Sequence, residues 1–241
     1  MLFSILSGGD PKEIIISLLL MIPVILLSLS THEAAHGYVA YKMGDPTAKN
    51  LGRVTVNPLK HLDPMGSLCM LVFGYGWAKP VPINARNFRD PKKGMAFTAI
   101  AGPVSNLILG AIGTVLYAIG LFVISYLSYF FGDLITDEFT FGILQALLTL
   151  FYFFGYMNFV LAVFNLIPIP PFDGSRFFSL FLPSKIYFAM MKYERYIMIG
   201  ILVLMIACSR LFNFSPFGFV ADKLFDLIAN AIFRLMSLIF L

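Results

Sequence analysis

Residues 31–43 read THEAAHGYVAYKM, and they follow Ile14–Ser30, IIISLLLMIPVILLSLS, seventeen residues without a charge. A polar His-Glu group closing a stretch suited to lipid is the contrast that decides the fold. A step of four residues in a helix turns about 400°, so His32 and His36 share one face, a turn apart, with Glu33 beside them. That face can grip one zinc ion. Two imidazoles on successive turns act as ligands, and the neighbouring carboxylate can take a proton from metal-bound water, whose pKa zinc lowers to about 7. Charged groups inside a span cost about 2.5–3.5 kcal/mol each, so three ionisable residues together argue against chance. Two of the chain's three histidines sit here.

The surrounding sequence is of the same kind. Of 241 residues 59% are hydrophobic and 12% charged, with 26 Phe and a mean hydropathy of +0.85, outside the range of soluble globular domains. The expectation is an all-α polytopic membrane protein, one domain over residues 1–241, with four to five transmembrane helices. Four apolar runs, Ile14–Ser30, Met95–Phe131, Phe141–Phe164 and Tyr196–Phe212, reach or approach the ~20 residues a span needs. Phe217–Leu241 carries Asp222, Lys223, Asp226 and Arg234 and reads either as a fifth span or as an amphipathic helix in the interface. No small-residue cleavage site follows the first run, which is therefore read as a retained span. Cys69 and Cys208 lie far apart in apolar surroundings and imply no disulfide framework. The net charge of +4 does not point to nucleic acid, because the basic residues fall in loops between spans.

Those loops orient the chain. Tyr41–Lys93 holds nine of the seventeen basic residues, the mark of a cytoplasmic segment. Gly132–Thr140 carries Asp133, Asp137 and Glu138 without Lys or Arg, whereas the next loop carries Arg176, Lys185, Lys192 and Arg195. The first and third spans then run parallel, and their cytoplasmic ends can meet.

A catalytic zinc takes a third protein ligand and keeps one position for water. No further histidine follows HGYVAYK closely. Glu138 is placed outside and Glu194 lies in a loop, which leaves His61 and Asp173. Asp173 lies in FNLIPIPPFDGSR, where Pro168, Pro170 and Pro171 break the end of the third span. Irregular backbone at membrane depth survives only where it is buried or lines a cavity; an Asp-Gly turn at the water boundary is the plainer alternative. Asn165, still in apolar sequence, can cap the broken helix or donate to a developing oxyanion.

Together these residues resemble the site-2 protease family of intramembrane zinc metalloproteases. The resemblance rests on THEAAHG within a span, on FNLIPIPPFDG in a later one, and on GYG and AGPVSN between them, covering roughly Ile14–Arg176. It implies that His32, His36 and Asp173 bind one zinc ion per chain, that Glu33 is the general base, and that Asn165 supports the substrate or transition state. Gly52–Asn84 is too broken for a helix yet contains an apolar patch, SLCMLVFGYGW, so a re-entrant β-containing loop between the first two spans is expected. Its Gly74-Tyr75-Gly76 resembles the glycine-aromatic-glycine element of the family's re-entrant hairpin, an edge that can clamp substrate as an added strand. His61 is expected at the surface or behind the ligands. Gly102, Pro103 and Asn106 are expected to open the second span, Asn106 in packing or in hydrogen bonds to the re-entrant loop. The family's PDZ and nucleotide-sensing domains are not expected in this chain.

The implied activity is hydrolysis of peptide bonds in or near transmembrane segments of other membrane proteins, in the lipid bilayer of a prokaryotic plasma membrane, with the site toward the cytoplasm. The rival readings are a divalent-metal transporter, disfavoured by a single ligand cluster and no inverted repeat, and an inactive relative that binds membrane partners.

Overall fold

The computed structural model describes residues 11–66, 78–131, 138–183, 186, 190, 192–212 and 216–240. Its helices are α1 (Pro11–Met43), α2 (Thr47–Asn50), α3 (Pro91–Phe131), α4 (Glu138–Asn165), α5 (Asp173–Phe178), α6 (Glu194–Phe212) and α7 (Pro216–Phe240). Among the described residues, three stretches are long and apolar enough to cross a membrane: Leu19–Met43, Pro91–Tyr129 and Phe139–Asn165. Among the described residues there is no strand, only an isolated antiparallel bridge between Leu62 and Ala78. Gly74, Tyr75 and Gly76 lie outside the described residues.

The first helix runs past its apolar stretch, from Ser30 on to Met43, because nothing in THEAAHGYVAYKM breaks a helix. It stops at Gly44, whose φ of +115° favours a residue without a Cβ. The Asp45 N–H then reaches back to the Ala40 carbonyl at 2.9 Å, closing the helix with a Schellman turn. α3 begins well before the AGPVSN element. Asp90 starts it, its carboxylate accepting from the Lys93 N–H at 3.0 Å ahead of a proline suited to the first turn. Gly102, Pro103 and Asn106 are thus interior residues of a 41-residue helix, not its opening.

α3 is the spine, packed against α1, α4 and α7. Its crossing with α4 is close because both backbones are bare there: a Cβ on Gly113 would stand 2.5 Å from the Gly155 nitrogen and 2.7 Å from its Cα. Small residues permit this approach where lipid offers no hydrophobic drive for helix association. On α7, Ala221, Phe225 and Ala229 recur at steps of four and bury against Phe159 of α4. α1 and α4 run side by side in one direction: Ser28 meets Asn158, and beyond α4 the chain turns back to His32.

The polar segment after α1 is tied together by Asp45, which is fully buried. Its Oδ1 accepts from the Thr47 N–H at 3.1 Å, from the Thr47 hydroxyl and from the Asn87 amide at 2.7 Å, and its Oδ2 accepts from the Asn84 N–H at 2.7 Å. Burial pushes the Asp45 carboxyl up, but the bonds from Thr47, Asn84 and Asn87 outweigh it and hold the group below its ordinary value.

Gly113→Leu forces the α3–α4 crossing apart and lowers the unfolding free energy by about 3 kcal/mol or more, read as a loss of Tm in detergent. Because the folded pKa of Asp45 lies below the unfolded one, its stabilisation is complete above 3.8 and is lost as pH falls through the lowered value. The Tm difference between wild type and Asp45→Asn therefore stays level above that pH and narrows below it.

Candidate active site

His32 and His36, a turn apart on α1, are both buried. Their Nε2 atoms lie 3.0 Å from each other, and Asp173 Oδ2 lies 3.0 Å from the first and 3.2 Å from the second. Asp173 reaches them from the first residue of α5. Past Asn165 the prolines end α4, and the chain folds back so tightly that Gly174 rests on the carbonyls of Leu166 and Ile167, where no Cβ fits.

The opposite edge of each ring explains what the Nε2 atoms are for. His36 Nδ1 donates to the Thr98 carbonyl at 2.7 Å. His32 Nδ1 donates to Asn106 Oδ1, and the Asn106 amide group is oriented in turn by donating to Asn158 Oδ1 at 2.7 Å. Asn158 Nδ2 donates to Ser28 Oγ at 2.8 Å and to the Phe154 carbonyl at 2.8 Å. With both Nδ1 atoms carrying the proton, both Nε2 atoms present lone pairs, and they face one another and a carboxylate oxygen. Such a cluster of acceptors calls for a cation, and two imidazoles with one carboxylate are a donor set that zinc takes. The opposing side of the cluster is a backbone: a Cβ on Gly102 would lie 2.5 Å from His36 Nε2 and 2.6 Å from His32 Nε2, in space that only glycine leaves open.

A cavity of about 200 Å³ opens on this cluster, and Glu33 and Asn165 line it with Pro80, Val81 and Ile83. One oxygen of Glu33 accepts from the Val81 N–H at 2.7 Å. Asn165 closes α4 and donates to the Leu161 carbonyl at 3.0 Å. Five residues singled out from the sequence, His32, Glu33, His36, Asn165 and Asp173, thus share one cavity. His61 does not join them. It is buried, not superficial, with Nε2 bonded to the Thr55 carbonyl at 2.8 Å.

Asn106 differs from its expected role: it belongs to the bonding of a histidine, not to a loop. Asn158 was missed, although a lone amide in the apolar run GYMNFVLAV is a signal in itself. Thr98 offered no signal, since its contribution is a backbone carbonyl.

Residues 20–207 match the sequence profile of Peptidase family M50. The chain is 38% identical over 221 residues to "Putative zinc metalloprotease YwhC" of Bacillus subtilis (strain 168), covering 91% of this chain and 92% of that protein. It is 29% identical over 154 residues to "Putative zinc metalloprotease Rip2" of Mycolicibacterium smegmatis (strain ATCC 700084 / mc(2)155), covering 62% of this chain and 52% of that one. No solved structure matches the chain.

Loss of the residue that orients a ligating imidazole typically costs 10- to 100-fold in metal affinity, so Asn106→Ala weakens zinc binding by about that factor. Gly102→Ala, which fills the space beside both Nε2 atoms, abolishes retention. Competition against a chelator of known affinity measures both.

Proposed function

The chain belongs to peptidase family M50 and is an intramembrane zinc metalloprotease of the site-2 type, and from that premise we propose a division of labour among its residues. His32, His36 and Asp173 hold the zinc, Glu33 is the general base, and the substrate is a transmembrane segment of another membrane protein. The observation that carries this reading is the position of Glu33: next to His32, in the cavity that the three donors share, on a helix apolar enough to span a bilayer.

Zinc held there supplies a Lewis acid beside the attacking water and the scissile carbonyl. Glu33 takes the proton of that water on one carboxylate oxygen and delivers it to the leaving amine, while Val81 holds the other oxygen. Asn165 lines the cavity, and the amide hydrogen it does not give to the Leu161 carbonyl donates to the oxyanion of the tetrahedral intermediate. A substrate helix must unwind locally to enter, because helical carbonyls are already bonded and shielded. The segment Gly74-Tyr75-Gly76 takes up the unwound strand.

The basic Tyr41–Lys93 segment supports a site open to the cytoplasm and a cut near that face of a prokaryotic plasma membrane. α6 serves as a fourth span. α7, seated on α4 through Ala221, Phe225 and Ala229, serves as a fifth.

Purified protein in micelles cleaves a tagged single-span substrate, and neither Glu33→Gln nor wild type with a zinc chelator does. The variant loses on the order of 10²- to 10⁴-fold in turnover while retaining zinc. Wild-type cleavage by Glu33→Gln would overturn the assignment of the base.

A further inference from the structure

Glu33 is held by a segment far from it in sequence. Ala78–Asn84 crosses the helix that carries the two histidines as irregular chain, and contacts at both ends and between them fix it there. At one end the Lys79 N–H donates to the His61 carbonyl at 2.8 Å, and the buried Arg53 donates Nη2 to the Lys79 carbonyl at 2.7 Å. At the other end the Asn84 N–H donates to Asp45 Oδ2 at 2.7 Å. Between these ends the Val81 N–H meets Glu33 Oε2 at 2.7 Å. The Val81 side chain is buried near Gly37, one turn beyond Glu33, where an added Cβ would stand 3.3 Å from Val81 Cγ1.

The anchors are costly ones. Asp45 is a carboxylate without surface exposure that, among the described residues, no ion pair reaches. A buried charge held only by N–H and O–H donors is kept where it fixes geometry. Its two oxygens divide that task. Oδ1 serves the turn of α2 and Asn87, whereas Oδ2 serves only the Asn84 amide, the near end of the strap. Arg53 likewise spends its guanidinium on backbone carbonyls of the strap at Lys79 and Pro80.

We propose that Asp45 and Arg53 are positioning residues for hydrolysis: they stretch Ala78–Asn84 across α1 so that the Val81 amide fixes one oxygen of Glu33 and leaves the other free for proton transfer. This rests on Glu33 acting as the base. A carboxylate free to rotate spends most of its time off the line to the attacking water, and misplacement of about 1 Å can cost 10²-fold in rate.

Asp45→Asn keeps an acceptor toward Thr47 and Asn87 and turns an NH2 group toward the Asn84 N–H, so it releases one end of the strap. Arg53→Lys releases the other and decides the matter if Asp45→Asn does not fold. In the full chain in micelles, each variant lowers kcat by about 10- to 100-fold, with KM within about twofold and zinc content unchanged. In the same zinc-loaded protein, hydrogen exchange of the peptide over residues 78–84 quickens about tenfold. Wild-type kcat in a folded variant, or a fall in kcat with exchange unchanged, overturns the proposal. Loss of kcat only in proportion to zinc overturns it too, since the effect would then lie in the metal site. Glu33→Gln is the control: inactive beside a fully active Asp45→Asn, it leaves the base standing and removes the strap's role, whereas full activity of Glu33→Gln removes both.

Discussion

Three electron-rich atoms, His32 Nε2, His36 Nε2 and Asp173 Oδ2, lie within 3.0–3.2 Å of one another among apolar helices. Without a cation between them the arrangement is repulsive and poorly hydrated; with one it becomes an attractive knot joining α1 to the start of α5. Much of the architecture serves that convergence. α1 supplies two donors from successive turns, the prolines after α4 turn the chain back so that Asp173 arrives as the third, and α3 brings a glycine where any side chain would intrude.

The same constraint explains the polar residues inside the bundle. An imidazole that offers Nε2 to a metal must place its other N–H, and in lipid there is no water to accept it. Thr98 answers for His36 with its backbone, and Asn106 answers for His32 with a side chain whose own amide then needs acceptors. That need passes to Asn158 and on to Ser28, so one ring position is secured by three helices. The tight α3–α4 crossing at Gly113 and Gly155 lies on the helices that carry Asn106 and Asn158 and keeps them within reach of each other.

The cluster of ionisable groups was legible because apolar sequence rarely carries such residues. His32, Glu33, His36 and Asp173 stand out against their runs, and proline marks where α4 must end. The helices followed the apolar runs closely, with α4, α6 and α7 beginning or ending within a few residues of them. What escaped were features that hydropathy does not register. α3 starts at Asp90-Pro91, short of the apolar run, because a cap, not an apolar onset, begins a helix. Asn106 was visible as a residue but not as a partner, since pairing across 74 positions has no local signature. Val81 contributes only an amide, which any residue but proline offers.

The bridge between Leu62 and Ala78 brings together two points sixteen positions apart, and the Lys79 N–H to His61 carbonyl bond reinforces the junction. Chain that leaves and returns at one fixed place is insulated from what lies on either side: closing a longer excursion adds only about 0.6 kcal/mol per doubling of its length. That junction fixes Ala78 and Lys79, so the Glu33 contact at Val81 depends on this anchor and not on the length of chain that leads to it.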